Sequence, residues 1–131
     1  MITEASDTSN AKAGALSDDH MWLIFARHSG NIFVYKFESG TYSLHQTFQH
    51  SATILRSISL TTDNIFFAVS SVGSFVWIYK FDGTNYNQYQ GIGFGTSLER
   101  KVSLTNDHQY LSIAGDSNSE VYRHNPSTQR F

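Results

Sequence analysis

Six histidines, three evenly spaced aspartates and one glycine-rich stretch are the residues whose types and spacing could carry chemistry. The histidines are His20, His28, His45, His50, His108 and His124. A structural or catalytic metal needs three or four such ligands converging on one point. His45 and His50 flank the end of one apolar segment with no third ligand in reach, and His20 and His108 fall at equivalent points of a repeat. Equivalent turns on separate units spread ligands apart, so no metal site is expected. Asp19, Asp63 and Asp107 recur at intervals of 44 residues. A ring of carboxylates suits calcium, but a simpler cause is a hairpin whose Asp bonds neighbouring backbone N–H groups. Nothing pairs two of these carboxylates for acid–base work. Gly91-Ile92-Gly93-Phe94-Gly95 superficially matches a phosphate-cradling loop. That chemistry requires a strand before it and a helix after it. The residues that follow, Thr96 to Val102, read as a strand, so a flexible connection is expected instead. With no cysteine there is no thiol nucleophile, disulfide or zinc–thiolate site. No catalytic, cofactor-binding or metal-binding residue is assigned.

Aromatic side chains are the remaining candidates. Trp22 and Trp77 sit on apolar segments and are expected in a core. Tyr42, Tyr86 and Tyr89 lie beside turns or in a polar outer segment, and Tyr110 opens an apolar segment near the chain's end. These four tyrosines are the expected partner-binding residues, since Tyr serves adaptable contacts well. The aligned cations Lys36, Lys80 and Arg123, and the pair Arg56 and Arg100, are expected on solvated strand faces or edges.

The elements that hold these residues are set by self-similarity. Ala15-Leu16-Ser17-Asp18-Asp19 recurs as Ser59-Leu60-Thr61-Thr62-Asp63 and as Ser103-Leu104-Thr105-Asn106-Asp107, each 44 residues on. Tyr35-Lys36-Phe37 falls on Tyr79-Lys80-Phe81, Tyr42 on Tyr86, Gln46 on Gln90 and Arg56 on Arg100. Val121-Tyr122-Arg123-His124 takes the same place in the third unit after a one-residue deletion. Within the second unit, Ile54 to Thr61 alternates, Ile65 to Ser70 is apolar, Val72-Gly73-Ser74 breaks the pattern, and Phe75 to Phe81 resumes it. A turn at Asp82 to Asn85 leads into a weaker segment, Tyr86 to Phe94. β-Branched and aromatic runs between Gly, Asp and Asn clusters are strands and hairpins. The chain is expected to be all-β.

Four short strands in about 40 to 45 residues have the dimension of one propeller blade. The order of alternating strand, S-x-x-x-D turn, small apolar strand, V-x-x-Y strand and polar outer strand resembles the WD40 family of β-propellers, over residues 10–131. Where that family has Trp-Asp, this chain has Tyr35-Lys36, Tyr79-Lys80 and Tyr122-Arg123. For the family's Gly-His it has only Gln49-His50 and Phe94-Gly95, so the family's His/Ser/Asp network is not carried over. The resemblance implies a partial propeller of about three four-stranded antiparallel blades, with units beginning near 15, 59 and 103 and the last incomplete.

A closed propeller takes typically four to eight blades. Three blades leave two end faces open, one expected to show Trp22, Phe25, Phe33 and Phe37 and the other Tyr110, Leu111 and Ile113. Contiguous apolar patches beyond a few hundred Å² are uncommon on monomers. A second copy completing a ring, other protein chains of a larger assembly, or further blades of a longer propeller chain are therefore expected to cover them, the alternative being three stacked sheets stable alone.

The chain has 131 residues, 9 Lys+Arg against 11 Asp+Glu, and 15% aromatic residues. It lacks the basic footprint of a nucleic-acid binder. Its longest apolar run, Met21 to Ala26, is far short of a membrane span. Residues 1–9 are polar and expected to be disordered, and no secretion signal is visible, which favours the cytoplasm. The reading that follows is a non-catalytic protein-interaction or scaffold module. Its rivals are a lectin-like propeller assembled from short chains, reading sugars through Tyr42 and Tyr86, and an enzyme with its site in a central channel.

Overall fold

A computed structural model describes residues 11–50, 54–98, 100–115 and 119–131. The expectation for residues 1–9 lies outside the described residues. Ten strands run in chain order: β1 (Ala11–Leu16), β2 (Trp22–Arg27), β3 (Asn31–Glu38), β4 (Thr41–Gln49), β5 (Ile54–Leu60), β6 (Phe66–Phe81), β7 (Tyr86–Leu98), β8 (Arg100–Leu104), β9 (Tyr110–Gly115) and β10 (Ser119–Arg123). They form three antiparallel sheets, β1-β2-β3-β4, β5-β6-β7 and β10-β9-β8. Among the described residues there is no helix.

Strand β6 is two arms of one hairpin. Sixteen residues drawn straight would run roughly 50 Å at about 3.3 Å each. Yet the Phe81 N–H donates to the Ile65 carbonyl at 2.8 Å, and the Ser71 hydroxyl donates to the Phe75 carbonyl at 2.9 Å. The chain thus reverses where Val72-Gly73-Ser74 breaks the apolar pattern. β5 pairs with the first arm, from Leu55↔Ser71 to Leu60↔Phe67, and β7 with the second, from Phe75↔Gly93 to Phe81↔Tyr86. The middle sheet is therefore four-armed, like the first. Phe37 N to Met21 O, Phe81 N to Ile65 O and His124 N to Gln109 O are one bond made three times, each 2.8 Å. In the third sheet the described residues supply three strands, followed by a bridge between Asn125 and Arg130.

The sheets stack face to face with their first strands together. β5 contacts β1 on one side and β8 on the other. On the β8 side, Ser57 and Ser59 accept from the Val102 and Leu104 N–H groups at 3.3 and 2.9 Å. Two apolar layers fill the spaces between sheets. Trp22, Ile24, Ile32 and Val34 of the first sheet meet Phe67, Val69 and Tyr79 of the second. Phe66, Ala68, Val76 and Ile78 face the other way and meet Val102, Leu104, Leu111 and Ile113 of the third. Neighbouring residues of β6 thus enter opposite cores. A strand dry on both faces loses polar alternation, which explains the continuous run from Ile65 to Val69.

This alternation corrects the expected end faces. Trp22 is 6% exposed, and Leu111 and Ile113 are fully buried, because they point inward between sheets. The open face of the first blade keeps the expected Phe25 and Phe33 and adds Leu16 and Leu23, the counterparts of Val69, Trp77, Leu60 and Phe67, with Tyr35 on the same side but only 3% exposed. Leu16 is 51% exposed, Phe25 and Phe33 are half-buried, and the Arg27 guanidinium lies 4.2 Å over the Phe33 ring. The third blade's open face carries Tyr110, Ser112, Ala114, Ser119 and Val121; Val121 is 69% exposed.

Candidate interaction site

Each blade opens with the same tight turn, and the repeated aspartate organises it. In the second blade Asp63 Oδ1 accepts from the Thr61 hydroxyl at 2.7 Å and from the Ile65 N–H at 3.0 Å. Asp19 does the same with Ser17 (2.6 Å) and Met21 N–H (2.9 Å), and Asp107 with Thr105 (2.5 Å) and Gln109 N–H (3.0 Å). The next residue of each turn, His20, Asn64 or His108, is left-handed, with φ of 60°, 64° and 60°. Asn and His enter that region more readily than most residues.

The turns also latch the blades together. Asp19 Oδ2 accepts from the Asn64 side-chain amide at 2.7 Å, and Asp63 Oδ2 lies 2.7 Å from His108 Nε2. In each case the carboxylate of one blade takes the left-handed residue of the next. Burial alone would raise the Asp63 carboxyl, but the Ile65 N–H, the Thr61 hydroxyl and the His108 ring hold it below its usual range. Burial would likewise raise the Asp19 carboxyl, but the Ser17 hydroxyl, the Met21 N–H and the Asn64 amide together outweigh it and hold the group below its usual range. The hairpin reading of the three aspartates holds within each turn and falls short between turns, where the second oxygen joins blades.

A second clasp lies on the outer strands. The Gln46 amide donates to the Tyr86 carbonyl at 3.0 Å and accepts from the Tyr86 N–H at 2.7 Å. Gln90 brackets Phe131 in the same way, at 2.9 Å on both bonds. Sequence reasoning assigned these glutamines no role, though their recurrence 44 residues apart was the available signal.

The four tyrosines separate into different roles. Tyr86, expected near the surface, is fully buried. Its hydroxyl donates to the Asn64 carbonyl at 2.7 Å, and burial, with Asp19 and Asp63 nearby, pushes its ionisation far up. Tyr42 is half-buried, and its hydroxyl braces the first turn by donating to the His20 carbonyl at 2.7 Å. Tyr89 is half-buried under Lys80, 5.6 Å away, and donates to the Gln129 carbonyl. Tyr110, 40% exposed, lies on the third blade's open face. No single site brings the four together.

Other expectations change as well. Gly91 and Gly93 lie inside β7, opposite Trp77 and Phe75, rather than in a flexible connection. A Cβ at Gly93 would stand 3.2 Å from the Phe75 ring, so glycine lets that aromatic lie across the strand. Arg100, expected on a solvated face, is 4% exposed, and its carbonyl accepts from the Ser70 hydroxyl at 2.6 Å. The β8 strand carrying it is wedged beside β5 and β6. His50 stacks on Trp77 at 3.8 Å and bonds the Tyr79 hydroxyl, and burial lowers its proton affinity. Among the described residues no group of three or more His, Asp or Glu is placed to hold a metal ion.

No protein-family model matches the chain, and no curated protein does. Solved structures do. The β-propeller domain of Myceliophteria thermophila Cps50 (Swd1) aligns with 92% of this chain and 42% of its own, at 11% identity and a TM-score of 0.72. A putative 6-phosphogluconolactonase from Bacteroides uniformis aligns with 91% of this chain and 38% of its own, at 13% identity and a TM-score of 0.70. The chain spans about two fifths of the length of these two structures. Its fold is that of an arc of a β-propeller.

Proposed function

We propose that this chain is a non-catalytic interaction module of WD40-like layout that binds protein through its open blade faces, above all that of the first blade. The observation carrying this reading is the contrast between Leu16, 51% exposed, and its counterpart Leu104, 7% exposed beneath a neighbouring blade. Around Leu16 lie Phe25 and Phe33, whose counterparts Val69 and Trp77 are likewise buried. Covering such apolar surface contributes about 25 cal/mol per Å², and a second blade-like surface has the shape to do it. The propeller fold shared with the Cps50 (Swd1) domain supports the reading at the level of architecture.

The test is capture from native material with the wild-type chain beside a Phe25→Asp/Phe33→Asp variant. A protein, the chain itself included, is expected to be retained in fixed ratio by the wild type and at least tenfold less by the variant. Equal retention by both, or none by the wild type, overturns the proposal.

One observation favours a carbohydrate-binding alternative. Phe75, 45% exposed, stacks on Trp77 at 5.7 Å and gives an accessible aromatic face. Sugars would be read there rather than through Tyr42 and Tyr86. Glycan binding abolished by Phe75→Ala supports that alternative; a silent glycan array removes it.

A further inference from the structure

The joints between blades are directional, and the chain's two open ends are the two halves of one such joint. The leading blade supplies a turn carboxylate and, at the second joint, an inner-strand hydroxyl. Asp19 and Asp63 present Oδ2 to the next blade, and Ser59 accepts from the Leu104 N–H. The following blade supplies a left-handed turn residue, Asn64 or His108, and that inner-strand N–H. At the chain's far end Asp107 uses Oδ1 for its own turn, while its Oδ2 meets no donor among the described residues. Ser103, the counterpart of Ser59, is exposed beside it. At the near end stand the complements, His20 at φ 60° and the N–H of Leu16, the counterpart of Leu104.

Side-chain size follows the same division in part. At the position of Ile24 and Ala68 the third blade's open face has Ser112, and at that of Ile32 and Val76 it has Ser119. At the position of Val69 and Ile113 the first blade's open face has the larger Phe25. Ser119 is smaller than both of its counterparts and Ser112 is smaller than Ile24, while of Leu16, Leu23, Phe25 and Phe33 on the first blade's face Phe25 alone is larger than both of its counterparts.

Resting on the reading of the first blade's face as a protein-binding surface, we infer that its occupant is the third blade of a second copy, joined head to tail, with Asp107 of one copy on His20 of the other. Two such joints close a six-bladed ring about a two-fold axis, within the range of blade numbers propellers adopt.

The chain has no cysteine, so introduced thiols report contacts directly. Within the chain Ser59 Oγ lies 2.9 Å from Leu104 N, which brings their backbones close enough for a disulfide. The corresponding residues across copies are Ser103 and Leu16, both exposed. Under mild oxidation Leu16→Cys/Ser103→Cys is expected to give a covalent dimer and neither single variant any. Sedimentation of the wild type is expected to give twice the 14.8 kDa chain mass, with Ser112→Trp weakening association at least tenfold. Three results overturn the inference. They are a cross-linked dimer from Leu16→Cys alone, which means like faces meet; a wild-type dimer whose double variant does not cross-link; and a wild-type monomer. If that monomer still captures another protein through Phe25 and Phe33, the interaction reading stands and only self-closure falls.

Discussion

The two internal joints share one geometry and are built from different materials. Between the first and second blades the filling is aromatic: Phe67 stacks on Tyr79 at 4.6 Å, and Trp22 meets the Tyr86 ring edge-on at 5.6 Å. Between the second and third blades it is mostly aliphatic, with Ala68, Val76 and Ile78 against Leu111 and Ile113. The latches differ in the same order. An amide closes the first and an imidazole the second. Inner-strand hydroxyls also help the second, whereas Ala13 and Ala15 occupy the positions of Ser57 and Ser59 at the first. Large rings held by dispersion make a joint that depends on shape. Smaller residues lean more on hydrogen bonds and charge.

The largest effect should come from removing a ring. Phe67→Ala deletes a fully buried side chain from the first joint and is expected to cost about 3–5 kcal/mol. Ile113→Ala in the second joint removes fewer atoms and is expected at the lower part of the ~2–5 kcal/mol range for aliphatic truncations. Urea unfolding of both variants checks the order. Equal costs would mean that the two joints are energetically alike.

Clasp variants sharpen the contrast on the outer strands. Gln46→Ala leaves the Tyr86 main chain without its bracket, yet Tyr86 remains anchored by its buried ring and by its hydroxyl on Asn64. Gln90→Ala leaves Phe131 with fewer anchors, since a Phe cannot make the hydroxyl bond. Each loss is expected at about 1–2 kcal/mol, with the unbracketed N–H paying a desolvation cost. Hydrogen exchange should rise by at least tenfold across residues 125–131 in Gln90→Ala and stay local to Tyr86 in Gln46→Ala. Exchange that rises equally far from both sites would mean that the clasp is not local.

Much of this was legible in the sequence. The 44-residue register fixes all three turns, and strand alternation fixes which segments are β. The hairpin inside β6 follows from Gly73 between two apolar arms. What one-dimensional pattern hides is the sense of the alternation. Trp22 and Phe25 look equally apolar, but adjacent faces of β2 belong to different environments, one dry and one open. Tyr86 follows a polar turn, and only the packing of a neighbouring blade buries it. Asp19 and Asn64 lie 45 residues apart, and no local spacing announces a bond between them.

The smallest expected effect concerns acid. The Asp19, Asp63 and Asp107 carboxyls are all held below the ordinary value of 3.8 in the folded chain. A carboxyl depressed by folding contributes stability that is present above its unfolded pKa and is lost as pH falls through the folded one. The melting temperature should therefore decline as pH drops below about 4. His108→Asn gives the second joint the latch of the first and removes the ring that helps depress Asp63. The Asp63 carboxyl is then expected to titrate closer to 3.8, seen by NMR of its carboxyl carbon, while Asp19 stays where it was. Because Asp63 keeps the Ile65 N–H and Thr61 hydroxyl, the shift should be partial, with a correspondingly small change in acid stability. An unmoved Asp63 would mean that its own turn holds the carboxylate and that the imidazole adds contact without charge.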